Sequence, residues 1–190
     1  MSSNNNDDSK LEWHEISKKV VYKTRVFDVT ERTSRSPDGK KEGVYIVNDA
    51  PSWAIVIPSD GDDFLMVKQW RHGEQSLSIE FPGGVIEEGE DICQGAKREL
   101  LEETGAVAGK ITKLGSFNPN PALFSNHVNV FLAEDLMFTG NQNLDEDEFV
   151  NYIRVPKKEV IESMGRGLYF HALMASALML YMAYNSTQLK

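Results

Sequence analysis

Cysteine is almost missing from this chain of 190 residues: Cys93 stands alone. That excludes an intramolecular disulfide and points to a reducing, cytoplasmic setting. Basic residues are also scarce. Twenty Lys and Arg face 29 Asp and Glu, a formal net charge of −9, so the chain lacks the positive surface that nucleic acid or an anionic membrane would require. An acidic protein that handles a phosphorylated ligand needs cations between the two. Long hydrophobic runs are absent as well. The most apolar stretch, residues 172–184, is short of the roughly 18–20 residues a membrane-spanning helix needs. The N-terminus, MSSNNNDDSK, has neither the basic nor the apolar region of a secretory signal. No internal repeat or interdomain linker interrupts the chain. The expectation is a soluble cytoplasmic protein with no nucleic-acid or membrane partner.

What is present is an ordinary globular composition, 41% hydrophobic and 26% charged, in a chain long enough for one domain with a substantial core, or one domain and an appendage. Residues 1–10, rich in Ser, Asn and Asp, read as a disordered tail. Residues 11–50 carry strand-like runs at 20–22, 26–29 and 44–47, with a turn signal at Ser36-Pro37-Asp38-Gly39. A meander of this size is marginal alone and has to pack on its own domain or on a partner subunit.

Residues 51–190 read as the main domain. A buried-type strand at 54–57 ends at Pro58, and Ser59-Asp60-Gly61-Asp62 turns it into a hairpin with 64–67, prolonged through Gln69-Trp70-Arg71. Residues 77–81 form another strand, stopped by Pro82. A helix is predicted from about Asp91 to Thr104. Its apolar Ile92, Cys93, Ala96 and Leu100 face the sheet, its glutamates occupy the other side, and Gly105 ends it. Strands at 111–117 and 127–132 follow, then a polar, acidic loop at 139–148, a strand at 149–155 and helices at 157–164 and 169–184. Strands and helices mix without strict alternation, which predicts an α/β sandwich rather than a doubly wound sheet.

The chemistry concentrates in GGVIEEGEDICQGAKRELLEETGA, from Gly83 to Ala106. A glycine pair leads into a helix on which Glu99, Glu102 and Glu103 share one face. Like charges three or four residues apart on a helix cost about 0.2–0.5 kcal/mol per pair, so stability gives no reason for the crowding. A divalent cation does: carboxylate oxygens are the ligands of Mg²⁺, bound at about 2.0–2.1 Å. The bland alternative is a solvated acidic helix face.

Within this stretch, Gly84 is followed after five residues by Glu90, and after seven more by Arg98-Glu99-Leu100-Leu101-Glu102-Glu103-Thr104-Gly105-Ala106. It resembles the Nudix box, departing only at Ala106, where a larger aliphatic is usual; a packing effect is expected there. With each fixed residue met about once in 15 by composition, seven coincide by chance at roughly 10⁻⁸ per start site. Pro121 resembles the marker of the ADP-ribose pyrophosphatase branch, and Gln69-Trp70-Arg71 and Glu80-Phe81-Pro82 resemble that branch's approach to the box.

The resemblance implies a Nudix α/β/α sandwich with a mixed sheet over 51–190. It also implies an N-terminal antiparallel meander over 11–50 through which two copies form a homodimer. The implied activity is Mg²⁺-dependent hydrolysis, with Mn²⁺ as a substitute, of ADP-ribose or a related ADP-sugar to AMP and a sugar phosphate. Glu99 and Glu103 match the principal metal ligands, Glu102 shares or bridges, and the Gly83 carbonyl completes the shell. Arg98 holds the glutamates, and Glu90 orients the loop or cluster or serves as an N-terminal helix charge. Arg71 would contact the diphosphate or terminal ribose, Glu80 would help hold the nucleoside, and Pro121 marks the substrate site. In Asp145-Glu146-Asp147-Glu148, Glu146 is the expected water-activating base and Glu148 an expected metal ligand, so that Glu146, Arg98 and Glu102 are the catalytic set. A solvated acidic turn competes with this reading of the loop.

Phe81, Trp70, Tyr22 and Phe27 are candidates to stack on adenine, although aromatics in strands are more often core. His14, His72, His127 and His171 lack metal-ligand spacing and read as structural or incidental, and Cys93 as a small buried hydrophobe. Other nucleotide sugars or dinucleotides, such as GDP-mannose and NADH, are alternative substrates. A non-catalytic nucleotide-binding regulator is a different class, disfavoured because every glutamate of the box is present.

Overall fold

The computed structural model describes residues 8–144, 146 and 148–188. Asp145 and Asp147 of the acidic run, and residues 1–7 of the expected tail, lie outside the described residues. The chain divides into two compact units: Met1–Ala50 with Asn120–Asn126, and Pro51–Pro119 with His127–Lys190.

In the first unit a 3-10 turn, Asp8–Leu11, precedes an antiparallel sheet of β1 (His14–Lys23), β2 (Asp28–Arg35) and β3 (Glu42–Asp49), in that order. The β1–β2 turn forms around Thr24, whose hydroxyl accepts the N–H groups of Val26 at 3.1 Å and Phe27 at 2.9 Å. The β2–β3 turn uses Asp38, whose carboxylate accepts from the Ser36 hydroxyl and the Lys40 N–H, with Gly39 at φ 72°. At the end of β3, Asp49 meets Lys18 at 2.8 Å, Arg32 at 2.5 Å and the Ser125 hydroxyl at 2.5 Å. Burial opposes its charge, but Lys18, Ser125 and Arg32 together hold the Asp49 carboxyl down at about 2. The segment Asn120–Asn126 lies along this end of the sheet: Asn48 N–H donates to the Leu123 carbonyl at 2.7 Å, and Ser125 N–H donates to that of Asn48 at 3.2 Å. β1 is exposed along its whole length.

The second unit is a mixed α/β/α sandwich. Its elements are β4 (Trp53–Asp60), β5 (Asp63–Arg71), β6 (Ser76–Glu80), α1 (Ile92–Thr104), β7 (Ala106–Phe117), β8 (Val128–Phe138), β9 (Val150–Pro156), α2 (Lys157–Ser163) and α3 (Ala172–Gln188). β8 lies between β7, to which it is antiparallel, and β4, to which it is parallel. The hairpin at Ser59 and Phe64 passes the chain to β5, which pairs antiparallel with β6 and β9. Strand alternation sends side chains to both faces. Ile55, Ile57, Phe64, Met66, Val130 and Leu132 join the core under α2 and α3. Ala54, Val56, Leu65, Phe131 and Ala133 pack against Ala96 and Leu100 of α1.

Four local expectations are corrected. Pro58 does not end its strand: β4 runs on to Asp60, with Pro58 beside Ala133. Ala54 and Val56 donate their N–H groups away from β8, to Gly84 and Pro82 at 2.9 Å. Pro58 shares their parity, so its missing N–H breaks no bond to β8. β7 starts directly after α1, because its ladder with β8 continues back to Ala106 opposite Phe138 through residues with no strand-like pattern. α3 starts at Ala172 rather than at 169, because His171 caps it: Nδ1 accepts the Leu173 N–H at 3.2 Å, and the carbonyl accepts from Met174 and Ala175. Finally, the glutamates of α1 are not confined to the side away from the sheet. Glu99 is 9% and Glu103 4% exposed, since the helix turns that face towards the Gly83–Gly84 backbone as well as the sheet. The ends of α1 are as expected: Asp91 accepts from Cys93 and Gln94 at 3.0 Å, and Gly105 takes the left-handed conformation at φ 67°. Among the described residues no helix is long and apolar enough to cross a membrane.

Phe64 is fully buried and makes edge contacts with Phe81 at 5.3 Å and Tyr181 at 5.0 Å between ring centroids. Phe64→Ala is expected to lower the unfolding free energy by about 3–5 kcal/mol, measured by urea denaturation. A loss under about 1 kcal/mol would show that this core does not pack as described.

Candidate active site

The site starts from two glycines. Residues 82–84 run beside β4 through the bonds to Ala54 and Val56. Gly83 sits at φ 154°, and a Cβ there would lie 2.1 Å from the Ala54 carbonyl oxygen, so no other residue fits. A Cβ on Gly84 would lie 2.6 Å from both carboxylate oxygens of Glu99. The pair thus lets one backbone segment press on β4 and on the glutamates of α1 together. Gly83 N–H donates to Glu103 Oε2 at 2.8 Å.

Arg98 gathers the remaining acids. Its Nε and Nη2 donate to Glu90 at 3.0 and 3.1 Å, its Nη1 donates to Glu99 and to Glu102 at 2.9 Å each, and Nη2 reaches the Val85 carbonyl at 3.0 Å. A planar guanidinium is the side chain that can serve three carboxylates in this way. Glu90 also accepts the Glu87 N–H at 3.0 Å, tying the preceding loop to the same arginine. Bonding to Glu90 first, with Glu99 and Glu102 adding, raises the Arg98 pKa further above its ordinary value.

The buried pair remains short of positive charge. Burial pushes Glu99 up to about 7 despite Arg98, with Glu102 and Glu148 pushing the same way. Burial likewise lifts Glu103 to about 8; the Gly83 N–H opposes it, the charges of Glu99 and Glu148 add to it, and Arg71 opposes it.

Arg71 and Glu80 are brought together, but with each other. Arg71 Nε donates to Glu80 Oε1 at 2.7 Å and Nη2 bonds Oε2, closing a two-point pair. Glu80 is 1% exposed, so in this arrangement it meets a ligand only through Arg71. Its carboxyl is lowered: burial works against the charge and Arg71 overcomes it. His171, read from the sequence as incidental, feels this pair. Burial lowers its pKa, Glu80 raises it and Arg71 lowers it.

The acidic loop reaches α1 through backbone acceptors. Asn143 N–H donates to the Glu102 carbonyl at 2.9 Å, and the Gln142 side-chain amide donates to the carbonyls of Glu103 at 2.5 Å and Val150 at 3.2 Å. The charge of Glu148 acts on both Glu99 and Glu103, whereas Glu146 lies on an exposed turn. Pro121 is exposed and belongs to the first unit. Phe81 is core, at 2% exposure, while Trp70 and Tyr22 are exposed and Phe27 makes an edge contact with Phe124. Gln142 and His171 gave no signal in the sequence, because neither belongs to a spaced motif and their partners lie far along the chain.

Among the described residues, no three His, Cys, Asp or Glu side chains are already gathered for an ion; Arg98 stands between Glu99 and Glu102. The donor set still fits a hard divalent cation. It offers carboxylate oxygens from Glu99, Glu102 and Glu103 and the carbonyl of Gly83. Two of those carboxyls are pushed up for want of a compensating positive charge, and Gly84 leaves the space beside Glu99 free of a side chain.

A family profile described as NUDIX domain matches residues 49–172. The ADP-ribose pyrophosphatase of Bacillus subtilis (strain 168) is 35% identical over 153 residues, which cover 80% of this chain and 83% of that protein. The methanol dehydrogenase activator of Bacillus methanolicus is 29% identical over 148 residues, covering 77% and 80%. A crystal structure of an ADP compounds hydrolase superposes with a TM-score of 0.81 at 25% identity, covering 93% of this chain and 96% of that one.

Because Glu99 and Glu103 titrate at about 7 and 8 folded, against an ordinary 4.5, the folded state holds more protons than the unfolded one between those values. The stability they contribute is full below pH 4.5 and is lost as pH rises through about 7 and then 8. Metal-free protein is therefore expected to melt lower at about pH 8.5 than at about pH 6. Mg²⁺ should restore the loss at the higher pH, and Glu103→Gln should flatten the dependence. Scanning calorimetry tests this; a wild-type melting temperature that is the same at both pH values, without metal, would exclude the raised carboxyls.

Proposed function

The chain belongs to the Nudix family, and from that premise we propose that it hydrolyses the diphosphate of ADP-ribose or a related ADP-sugar to AMP and a sugar phosphate. The observation that carries this reading is the burial of Glu99 and Glu103 against the Gly83–Gly84 backbone, with Arg98 collecting Glu90, Glu99 and Glu102. The names of the Bacillus subtilis relative and of the superposed hydrolase support an ADP-containing substrate.

In the reaction a water oxygen bonds to one phosphorus while the bridging P–O bond breaks, and the leaving phosphate keeps the electron pair. Bound Mg²⁺, or Mn²⁺ in its place, neutralises the phosphate oxygens and acidifies the water. Glu99, Glu102, Glu103, the Gly83 carbonyl and Glu148 are the groups we assign to hold it. Glu146 is the base we assign to take the water's proton, and its exposed turn leaves it free to do so in the presence of substrate. Arg71, its Nε–Nη2 edge braced by Glu80, presents the remaining guanidinium edge to the diphosphate. Arg98 keeps the carboxylates of the helix in position. We place the reaction in the cytoplasm, consistent with the single unpaired Cys93.

We further propose that residues 11–50 form the dimerisation element. Ile16, Val20, Tyr22, Val44 and Ile46 stand exposed on the sheet of the first unit, an apolar set that a second copy would cover.

Incubation with Mg²⁺ and a panel of ADP-ribose, other nucleotide sugars such as GDP-mannose, and NADH tests the substrate. ADP-ribose or another ADP-sugar is expected to give the highest kcat/KM, and Glu103→Gln to lower kcat by about 100-fold. Preference for GDP-mannose would overturn the substrate, and no turnover of any compound would overturn the reaction. Light scattering tests the dimer: twice the chain mass of 21.4 kDa is expected, and a mass of 21.4 kDa itself would exclude it.

A further inference from the structure

The loop between β8 and β9 is fastened to the carboxylate helix at its last turn. Thr139 donates its N–H and hydroxyl to the Gly105 carbonyl at 2.8 and 2.9 Å, Asn143 N–H donates to the Glu102 carbonyl at 2.9 Å, and the Gln142 amide donates to the Glu103 carbonyl at 2.5 Å. The carbonyls at the end of a helix have no partner within it, so Glu102 and Glu103 hold the loop through the main chain while their side chains face the site. The same Gln142 nitrogen also donates to Val150 at 3.2 Å, where the chain enters β9. A primary amide carries two protons, so this one side chain joins the outgoing end of the loop, its returning end and α1.

Glu148 is two residues before Val150. We propose that Gln142 is a positioning residue, which clamps both ends of the acidic segment to α1 and so sets the Glu148 carboxylate against Glu99 and Glu103. The inference rests on the reading of this centre as hydrolytic and of Glu148 as one of its working groups. Val150 is itself held opposite Gln69 in the β5–β9 ladder, so the bridge ties a fixed strand end to α1. Without it the attachment at Asn143 loosens, and the end of α1 can shift by about an ångström against the residues just before β9. A displacement of that size costs up to about 100-fold in rate at a reacting centre. Helix capping alone would give Gln142 a bond to Glu103, but no reason for the second bond to Val150.

The test is a double-mutant cycle in the full chain between Gln142→Met, which keeps length but has no donor, and Glu148→Gln. Gln142→Met is expected to lower kcat on ADP-ribose by about 10- to 100-fold with KM within about twofold, and to weaken Mn²⁺ binding followed by electron paramagnetic resonance. The double variant is expected to be no worse than Glu148→Gln alone in either readout. Losses that multiply, or wild-type kcat and Mn²⁺ affinity in Gln142→Met, would overturn the proposal. If wild type turns over no compound, the hydrolytic reading fails, and the Mn²⁺ cycle still decides for or against Gln142. Amide exchange separates the clamp from general stability. Faster exchange at Asn143 with unchanged core strands supports it, whereas uniform acceleration across the sheet overturns it.

Discussion

Two carboxylates buried one helical turn apart, at Glu99 and Glu103, are the most demanding feature of the second unit. An isolated charge in such surroundings costs several kcal/mol, and the neighbouring chain is arranged to limit that cost. Gly83 turns its N–H onto Glu103, which requires a backbone conformation and a closeness to Ala54 that exclude every side chain. Residues 82–84 can stay there because β4 donates to them on the side away from β8. The sheet edge, the glycine pair and the helix face therefore constrain one another, and a shift in any of the three disturbs the other two. What remains uncompensated is a demand for positive charge, which a divalent cation meets.

Arg98 and the end of α1 divide the work between side chain and main chain. The guanidinium ties Glu102 and Glu99 to Glu90 and, through Glu90, to the loop before the helix. At the other end, the carbonyls of Glu102 and Glu103 receive donors from the loop after β8. One turn of helix thus organises the chain on both sides of it. This explains why the box is conspicuous as a sequence pattern although its residues act on segments as far along the chain as Asn143.

Much of this was legible from local chemistry. Asp91 and Gly105 announced the ends of α1, and the continuous apolar runs at 54–57 and 64–67 announced strands buried on both faces. The box spacing announced which acids belong together. The failures have physical causes. A glutamate scores as polar wherever it stands, so periodicity set Glu99 and Glu103 opposite the sheet-facing side and gave no sign of their burial. Pro58 read as a stop because the direction of its missing donor is set by pairing, not by sequence. The pairing of Arg71 with Glu80 gave no sign either, since nothing in their spacing tells that β5 and β6 bring the two side chains into contact. Gln142 and His171 act through a backbone carbonyl and a helix cap, interactions that leave no pattern of residue types.

The closing segment of the first unit has a consequence for synthesis. Asp49 at the end of β3 bonds Ser125, 76 residues later, and Asn48 bonds Leu123. At about 5–20 residues per second, a ribosome needs roughly 4–15 s after making β3 to supply that segment. During this interval the meander is complete in strands but incomplete in contacts, and Ile16, Val20, Val44 and Ile46 are displayed on a nascent chain. A part of the protein made before its partner segment is therefore finished only after it, and a chaperone that shields short apolar strands would act in that gap.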